Sequence, residues 1–335
     1  RCSAKTEGPM ATLITGAGLI GCQTAALLAA RGEPVVLLDL QPAPALIGSV
    51  LPLQRVRMVS GNVCDRAAML ALLQQHGITA VVHTAAALSM AIRQTPTLAA
   101  DVNLGGTVNL LEAARACGVR RFVLASSTTL YYPSFRRPQT GPVAEDFAFH
   151  AVSERPGSLY AASKLAAEYF TQHYADQFGL SVAILRYSAV LGLWAGPNNS
   201  VPGRLLATLL GQGAVNGRVT VTDPLLLWSG GDDFIDARDV AAANVAALDA
   251  TALPSRVYTI GSGQLASFGD FVAAASQVRP ELVFDAVALP TTGFAGFAHQ
   301  RTQPFDVACA QAELGFAARH DLLSSFKAAS VWVGP

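Results

Sequence analysis

Thr15-Gly16-Ala17-Gly18-Leu19-Ile20-Gly21 lies between an apolar run, ATLIT (11–15), and an Ala- and Leu-rich stretch, GLIGCQTAALLAARG (18–32), that Gly32 stops. The first reads as a strand and the second as a helix. In a Gly-x-Gly-x-x-Gly turn between strand and helix each glycine has its own task. Gly16 permits the tight turn, Gly18 lets a pyrophosphate reach the backbone, and Gly21 allows close helix–strand packing. Free N–H groups and the positive dipole end of the helix face the anion. A second strand, PVVLLD (34–39), ends in Asp39, near the spacing at which an acid meets the adenosine ribose hydroxyls. A carboxylate there favours NAD over NADP, because it repels a 2′-phosphate, and Leu40-Gln41-Pro42 supplies no arginine to reverse that preference.

Outward from this turn the alternation continues. VRMVSG (56–61), TAVVHTA (79–85), RFVLASS (121–127) and SVAILRY (181–187) read as strands; DRAAMLALLQQHG (65–77), a long region to about Cys117, and about 158–179 read as helices. Apolar strands alternating with helices specify an α/β fold, a Rossmann-type doubly wound parallel sheet with its ligand site beyond the carboxyl ends of the strands. Asn62 and Val63, after the third strand, are expected against adenine or in a plain turn. After about residue 190 the pattern weakens and Pro, Gly and Asn cluster in 192–203 and 223–233. We expect an NAD-binding domain over 10–190 plus about 234–262, in which RVYTIG (256–261) rejoins the sheet. A smaller C-terminal substrate lobe is expected over 191–233 plus about 263–335. Residues 1–9 are read as a tag or a disordered arm.

Composition narrows the function classes. The 335 residues are 51% apolar and carry 23 basic against 23 acidic side chains, so no basic field gathers nucleic acid or an anionic membrane. The apolar stretch 78–92 is broken by His83, Thr79, Thr84 and Ser89 and is too short for a membrane span. No stretch reads as a secretory leader. The five cysteines and six histidines are scattered, so reduced thiols in a cytoplasm and no metal site are expected.

Tyr160-Ala161-Ala162-Ser163-Lys164 puts a phenol and one of the chain's three lysines four apart, on one helix face. A free phenol ionises near pH 10; an adjacent ammonium and an oxidised nicotinamide favour the phenolate. Tyr160 can then exchange a proton with a substrate hydroxyl or carbonyl, while Lys164 also reaches the nicotinamide ribose. Ser127, at the end of the fifth strand, can bridge the substrate oxygen and Tyr160, with Ser126 and Thr128 as rivals.

These residues resemble the extended short-chain dehydrogenase/reductase superfamily, the NAD-dependent epimerase/dehydratase group, over nearly all of 10–320. Further matching stretches are Val82-His83-Thr84-Ala85-Ala86, the segment Asn103 to Ala113, Phe234-Ile235-Asp236-Ala237-Arg238-Asp239-Val240 and Glu313-Leu314-Gly315-Phe316. The resemblance implies that Ser127, Tyr160 and Lys164 are catalytic. It places Leu19, Ile20, Leu40, Thr84, Ala85, Ala86, Asn103, Ala125, Tyr187, Ser188 and Val190 beside the cofactor, and implies a homodimer through about 91–117 and 158–179. Trp194 and Arg301 join Ser126 and Thr128 as candidate substrate contacts, Arg301 otherwise being a solvated surface charge. The chain also departs from the family. Thr128 and Thr129 stand where dehydratases carry an Asp-Glu pair, so dehydration lacks its acid and base. Asp232 stands where nucleotide-sugar members carry a diphosphate-clamping arginine, and a carboxylate there would repel a diphosphate. The leading expectation is therefore an NAD-dependent dehydrogenase or reductase acting on a secondary alcohol or ketone, for which a sugar or sugar acid would fit. A redox-neutral epimerase with tightly bound NAD, and a non-catalytic NAD-binding sensor, are the alternatives.

Overall fold

The computed structural model describes residues 11–147 and 154–333; the expectation for residues 1–9 lies outside them. Seven parallel strands form the central sheet. They are β1 (Ala11–Thr15), β2 (Val35–Asp39), β3 (Val56–Ser60), β4 (Ile78–His83), β5 (Arg121–Ser127), β6 (Val182–Tyr187) and β10 (Val257–Ile260), in the spatial order β10-β6-β5-β4-β1-β2-β3. Strand order reverses at β1, between β2 and β4, which opens a crevice beyond the carboxyl ends of β1 and β4. The strands read as continuous apolar runs because both faces are covered. Ile14, Leu37, Val82, Val123 and Leu185 enter one core layer, and their neighbours Leu13, Val36, Val81, Phe122 and Ile184 enter the other.

Helices α1 (Leu19–Ala30) and α8 (Ala237–Asp249) cover the first face through Cys22, Ala25, Leu28, Val240, Ala243 and Ala247. The second face is covered by α3 (Arg66–Gln75), α5 (Thr107–Cys117) and α6 (Leu159–Phe178). The short helices α2 (Pro44–Ile47) and α4 (Ser89–Gln94) lie in the connections after β2 and β4. The long helix expected before Cys117 is broken. Thr95-Pro96 interrupts it, and Ala99–Gly106 forms a π-helical turn that feeds α5. Gly106 sits so near Val63 that a Cβ would come within 2.7 Å of that side chain.

Strand β10 pairs with β6 and adds the seventh strand. The remaining strands β7 (Ala189–Leu191), β8 (Arg218–Val219), β9 (Phe234–Asp236) and β11 (Val283–Phe284) form two small sheets, β7 with β9 and β8 with β11. Beside them α7 (Val201–Leu209), α9 (Phe268–Val278) and α11 (Leu322–Ser330) share a separate core. Its centre is Trp228, ringed by Phe234, Phe268, Phe271 and Phe294 at 5.1–5.7 Å. Helix α10 (Ala308–Leu314) turns back: Ala310, Leu314 and Phe316 pack in the layer under the main sheet.

Candidate active site

The glycine turn closes on β4. Gly16 has φ +89°, and a Cβ on it would lie 2.8 Å from the Ala85 nitrogen; a Cβ on Gly21 would lie 1.9 Å from the Gly16 carbonyl oxygen. Around Gly18 a Cβ would meet nothing within 4 Å. Two glycines are therefore demanded by packing, while the third faces open space at the start of α1. No side chain caps that helix and its first turn holds no acid, so its leading N–H groups remain available to an anion. The Asp39 carboxylate accepts from the Ala17 nitrogen (2.8 Å) and the Gln41 nitrogen (3.0 Å). It thus holds the glycine turn to the end of β2. Leu40 beside it is 61% exposed. The residues present fit a dinucleotide.

Several expected cofactor contacts are engaged inside the protein. Asn62 accepts from the Cys64 nitrogen (2.9 Å) in an Asx turn, so its carbonyl serves the plain-turn alternative, and Val63 is buried against Gly106. Thr84 donates to the Thr15 carbonyl (2.7 Å). The Asn103 side chain is held by both backbone groups of Ala87, at 2.7 and 3.1 Å, and donates to Ser163 Oγ at 3.1 Å. Tyr187 is buried and donates to Asn244 (2.6 Å). Ser188 differs: its hydroxyl is buried without a hydrogen-bond partner, an orphan that calls for a ligand group or water. Leu19 packs against Gly192, Ile20 and Val190 back onto the main core, and Ala85 and Ala86 line the turn after β4 half-buried.

Period-two alternation along β5 decides among the hydroxyls. Ser126 points into the core and donates to Glu168, and Thr128 is buried in the turn that follows. Both hydroxyls are thus enclosed by the protein, whereas Ser127 is not. Ser127 is half-buried at the strand end. It accepts from the Thr129 nitrogen (3.2 Å) and hydroxyl (3.0 Å). Ser158 caps α6 by accepting from the Ala161 nitrogen, which places Tyr160 in the first turn beside Ser127. Burial pushes the Tyr160 phenol up to about 12, and the interaction with Ser127 lowers it. Lys164 Nζ donates to the Ala125 carbonyl (2.8 Å) and lies 5.9 Å from the Tyr160 ring centroid. Burial brings its ammonium down to about 8, against the opposing field of Glu168.

Glu168, one turn past Lys164, was not among the expected residues, although it stands four positions on, along the same helix face. It takes Ser126 and three contacts from Arg186, at 2.7, 2.9 and 3.2 Å, and Arg186 continues to the Tyr131 hydroxyl at 2.7 Å. This buried pair ties α6 to β5 and β6.

Arg301 is not a solvated surface charge. It is 2% exposed, 2.8 Å from Asp232, and lies 3.6 Å from the Phe305 ring centroid and 5.0 Å from that of Phe135. The contact is an ion pair by distance, while Nε, Nη1 and Nη2 are buried without a hydrogen-bond partner. Tyr132 donates to the other Asp232 oxygen (2.6 Å) and stacks on Phe297. Trp194 is half-buried, leaning on the main core, with its ring 2.3 Å from where a Gly196 Cβ would be. It is folded against its own loop. Among the described residues no cluster of metal-ligating side chains occurs and no helix is long and apolar enough to cross a membrane.

Residues 12–261 match the model of the NAD dependent epimerase/dehydratase family. The chain belongs to that family. It is 26% identical over 98% of its length to UDP-glucuronate 4-epimerase 3 of Arabidopsis thaliana, covering 77% of that protein. It is 30% identical to a UDP-glucose 4-epimerase of Corynebacterium glutamicum, over 76% of each. Among solved structures, a UDP-glucose 4-epimerase from Stenotrophomonas maltophila, holding NAD and formylated UDP-arabinopyranose, superposes with a TM-score of 0.75. It is 28% identical, with 96% of this chain and 97% of that one covered.

Proposed function

We propose that this family member is a redox-neutral sugar epimerase that inverts a secondary alcohol while keeping NAD bound. The observation that carries the reading is Tyr160, with Ser127 and Lys164, at the mouth of the dinucleotide cradle. NAD supplies the hydride acceptor and, in return, the donor. Tyr160 is held protonated in the free protein; positive charge at the cofactor ring and at Lys164 makes the phenolate accessible. Tyr160 then takes the substrate hydroxyl proton and later returns it to the carbonyl. Ser127 holds that oxygen, and Lys164 steadies the phenolate and reaches the ribose. Asp39 and the N–H groups of α1 orient the dinucleotide.

The relatives, 4-epimerases of UDP-sugars, support this alternative over the dehydrogenase first expected. The expectation against a nucleoside diphosphate also loses its ground. It required a free carboxylate at Asp232, whereas the structure pairs that carboxylate with Arg301, cancelling the repulsion. UDP-hexoses and UDP-hexuronates are therefore the substrates to offer first. Denaturing the purified protein should release near-stoichiometric NAD, and the holoenzyme should interconvert a C4 epimer pair without accumulating NADH. Steady NADH production from a free sugar would replace this reading with the dehydrogenase.

A homodimer through α4, the π-turn, α5 and α6 extends the proposal. Leu159, Tyr169, Phe170 and Phe178 of α6 and Met90 of α4 are exposed apolar residues, the kind of surface that association covers. Light scattering at monomer mass would remove it.

A further inference from the structure

Between the glycine turn and the catalytic helix runs a line of five hydrogen bonds. Thr15, the residue before Gly16, lies 2.6 Å from His83 Nδ1, and His83 Nε2 lies 3.1 Å from Thr107 Oγ1. Thr107 donates to the Asn103 carbonyl (2.6 Å), Asn103 donates to Ser163 (3.1 Å), and Ser163 donates to the Tyr160 carbonyl (2.8 Å).

Donor accounting fixes the directions. Thr107 has one hydroxyl proton and gives it to Asn103, so toward His83 it accepts. His83 Nε2 therefore carries the imidazole proton, Nδ1 is a bare acceptor, and Thr15 donates to it. The ring is 2% exposed, and burial together with the field of Lys164 holds it down to about 3, so it stays neutral in one tautomer. Ser163 likewise accepts from Asn103 and donates onward. No member has a free choice of direction, and a fully satisfied buried network is stiff.

We propose that His83 is a positioning residue: fixed as the Nε2–H tautomer, it holds the cofactor turn and the Tyr160–Lys164 helix in one register. Gly16 rests on Ala85, two residues beyond His83, while Ser163 lies between the two catalytic side chains on α6. A shift at one end is thereby transmitted to the other. The inference rests on the reading of Lys164 as a cofactor contact, and the test separates the two.

The ligand used is NAD itself, titrated calorimetrically onto nucleotide-stripped protein in a double-mutant cycle of Lys164→Met with His83→Phe. In the wild-type background Lys164→Met should weaken NAD binding about tenfold. In the His83→Phe background it should weaken it less than about twofold, because the lysine is already out of register. His83→Gln, which keeps a donor and an acceptor, should restore most of the difference. Thr107→Val should reproduce the His83→Phe result if that variant does not fold. Equal effects of Lys164→Met in both backgrounds would overturn the coupling. No effect in either would sink the cofactor role of Lys164 and the coupling with it. Independently of Lys164, ¹⁵N-histidine spectra, assigned with His83→Gln, should show one neutral Nε2–H ring between pH 5 and 8, with and without NAD. An Nδ1–H ring, or one that titrates there, would overturn the assignment.

Discussion

Lys164 and Arg301 are both cations buried within the protein, at 5% and 2% exposure, and they are treated in opposite ways. Lys164 rests on a backbone carbonyl, and its field partner Glu168 is already occupied by Arg186 and Ser126. Its charge is thus left costly to hold, and its pKa falls to about 8. Arg301 faces a carboxylate at 2.8 Å within a cluster of aromatic rings, and its charge is cancelled where it sits. Lys164 gives its hydrogen bond to a backbone carbonyl, whereas Arg301, set against a carboxylate, joins segments distant in sequence. Here it joins the stretch before β9 to the chain near Phe305.

The largest effect that should sharpen this contrast lies beside Lys164. Tyr160→Phe should lower epimerisation by 10²–10⁴-fold with NAD affinity within about threefold of wild type, read by product formation and calorimetry. Turnover near wild type would remove the proton-transfer role. On the other side, Arg301→Met should cost about 3–5 kcal/mol of stability by stranding Asp232, while Asp232→Asn with Arg301→Met should recover most of it. Denaturant titration of both variants decides whether the pair is a fastener; equal losses would mean that it is not.

Smaller in effect is Gly18→Ala. Its Cβ enters the open space at α1, so NAD binding should weaken about tenfold with the melting temperature unchanged, a pattern that Gly21→Ala cannot show because it collides with the Gly16 carbonyl. The smallest effect is that of pH. The folded-state pKa of Lys164, about 8, lies below its ordinary value near 10.5. Between them the unfolded chain binds the proton that the folded protein lacks, so the lysine's contribution to stability rises with pH across that window. In turnover the sign is the reverse. Activity should fall above about pH 8 as the ammonium supporting the Tyr160 phenolate is lost. A Lys164→Met variant whose stability keeps the same slope over this window would show that the lysine is not its source.

Local chemistry was legible from the chain alone. The glycine spacing, Asp39 and the four-residue step from Tyr160 to Lys164 each work through neighbours close in sequence, so β1, α1, β2 and the placing of Tyr160 and Lys164 on one helix could be read in advance. The continuous apolar strands declared a sheet covered on both faces for the same reason. What lay beyond was decided across distance. Ser126 and Ser127 are adjacent and chemically alike, and only the facing of β5 against α6 turns one toward Glu168 and the other toward Tyr160. Asp232 looked like a free carboxylate until folding brought it to Arg301, 69 positions along the chain. His83 looked like part of a strand until Thr15 and Thr107, from β1 and α5, closed on its two nitrogens. Residue type and spacing set what a side chain can do; which partner it meets, and therefore whether its charge or proton is free for use, is settled only when distant segments pack together.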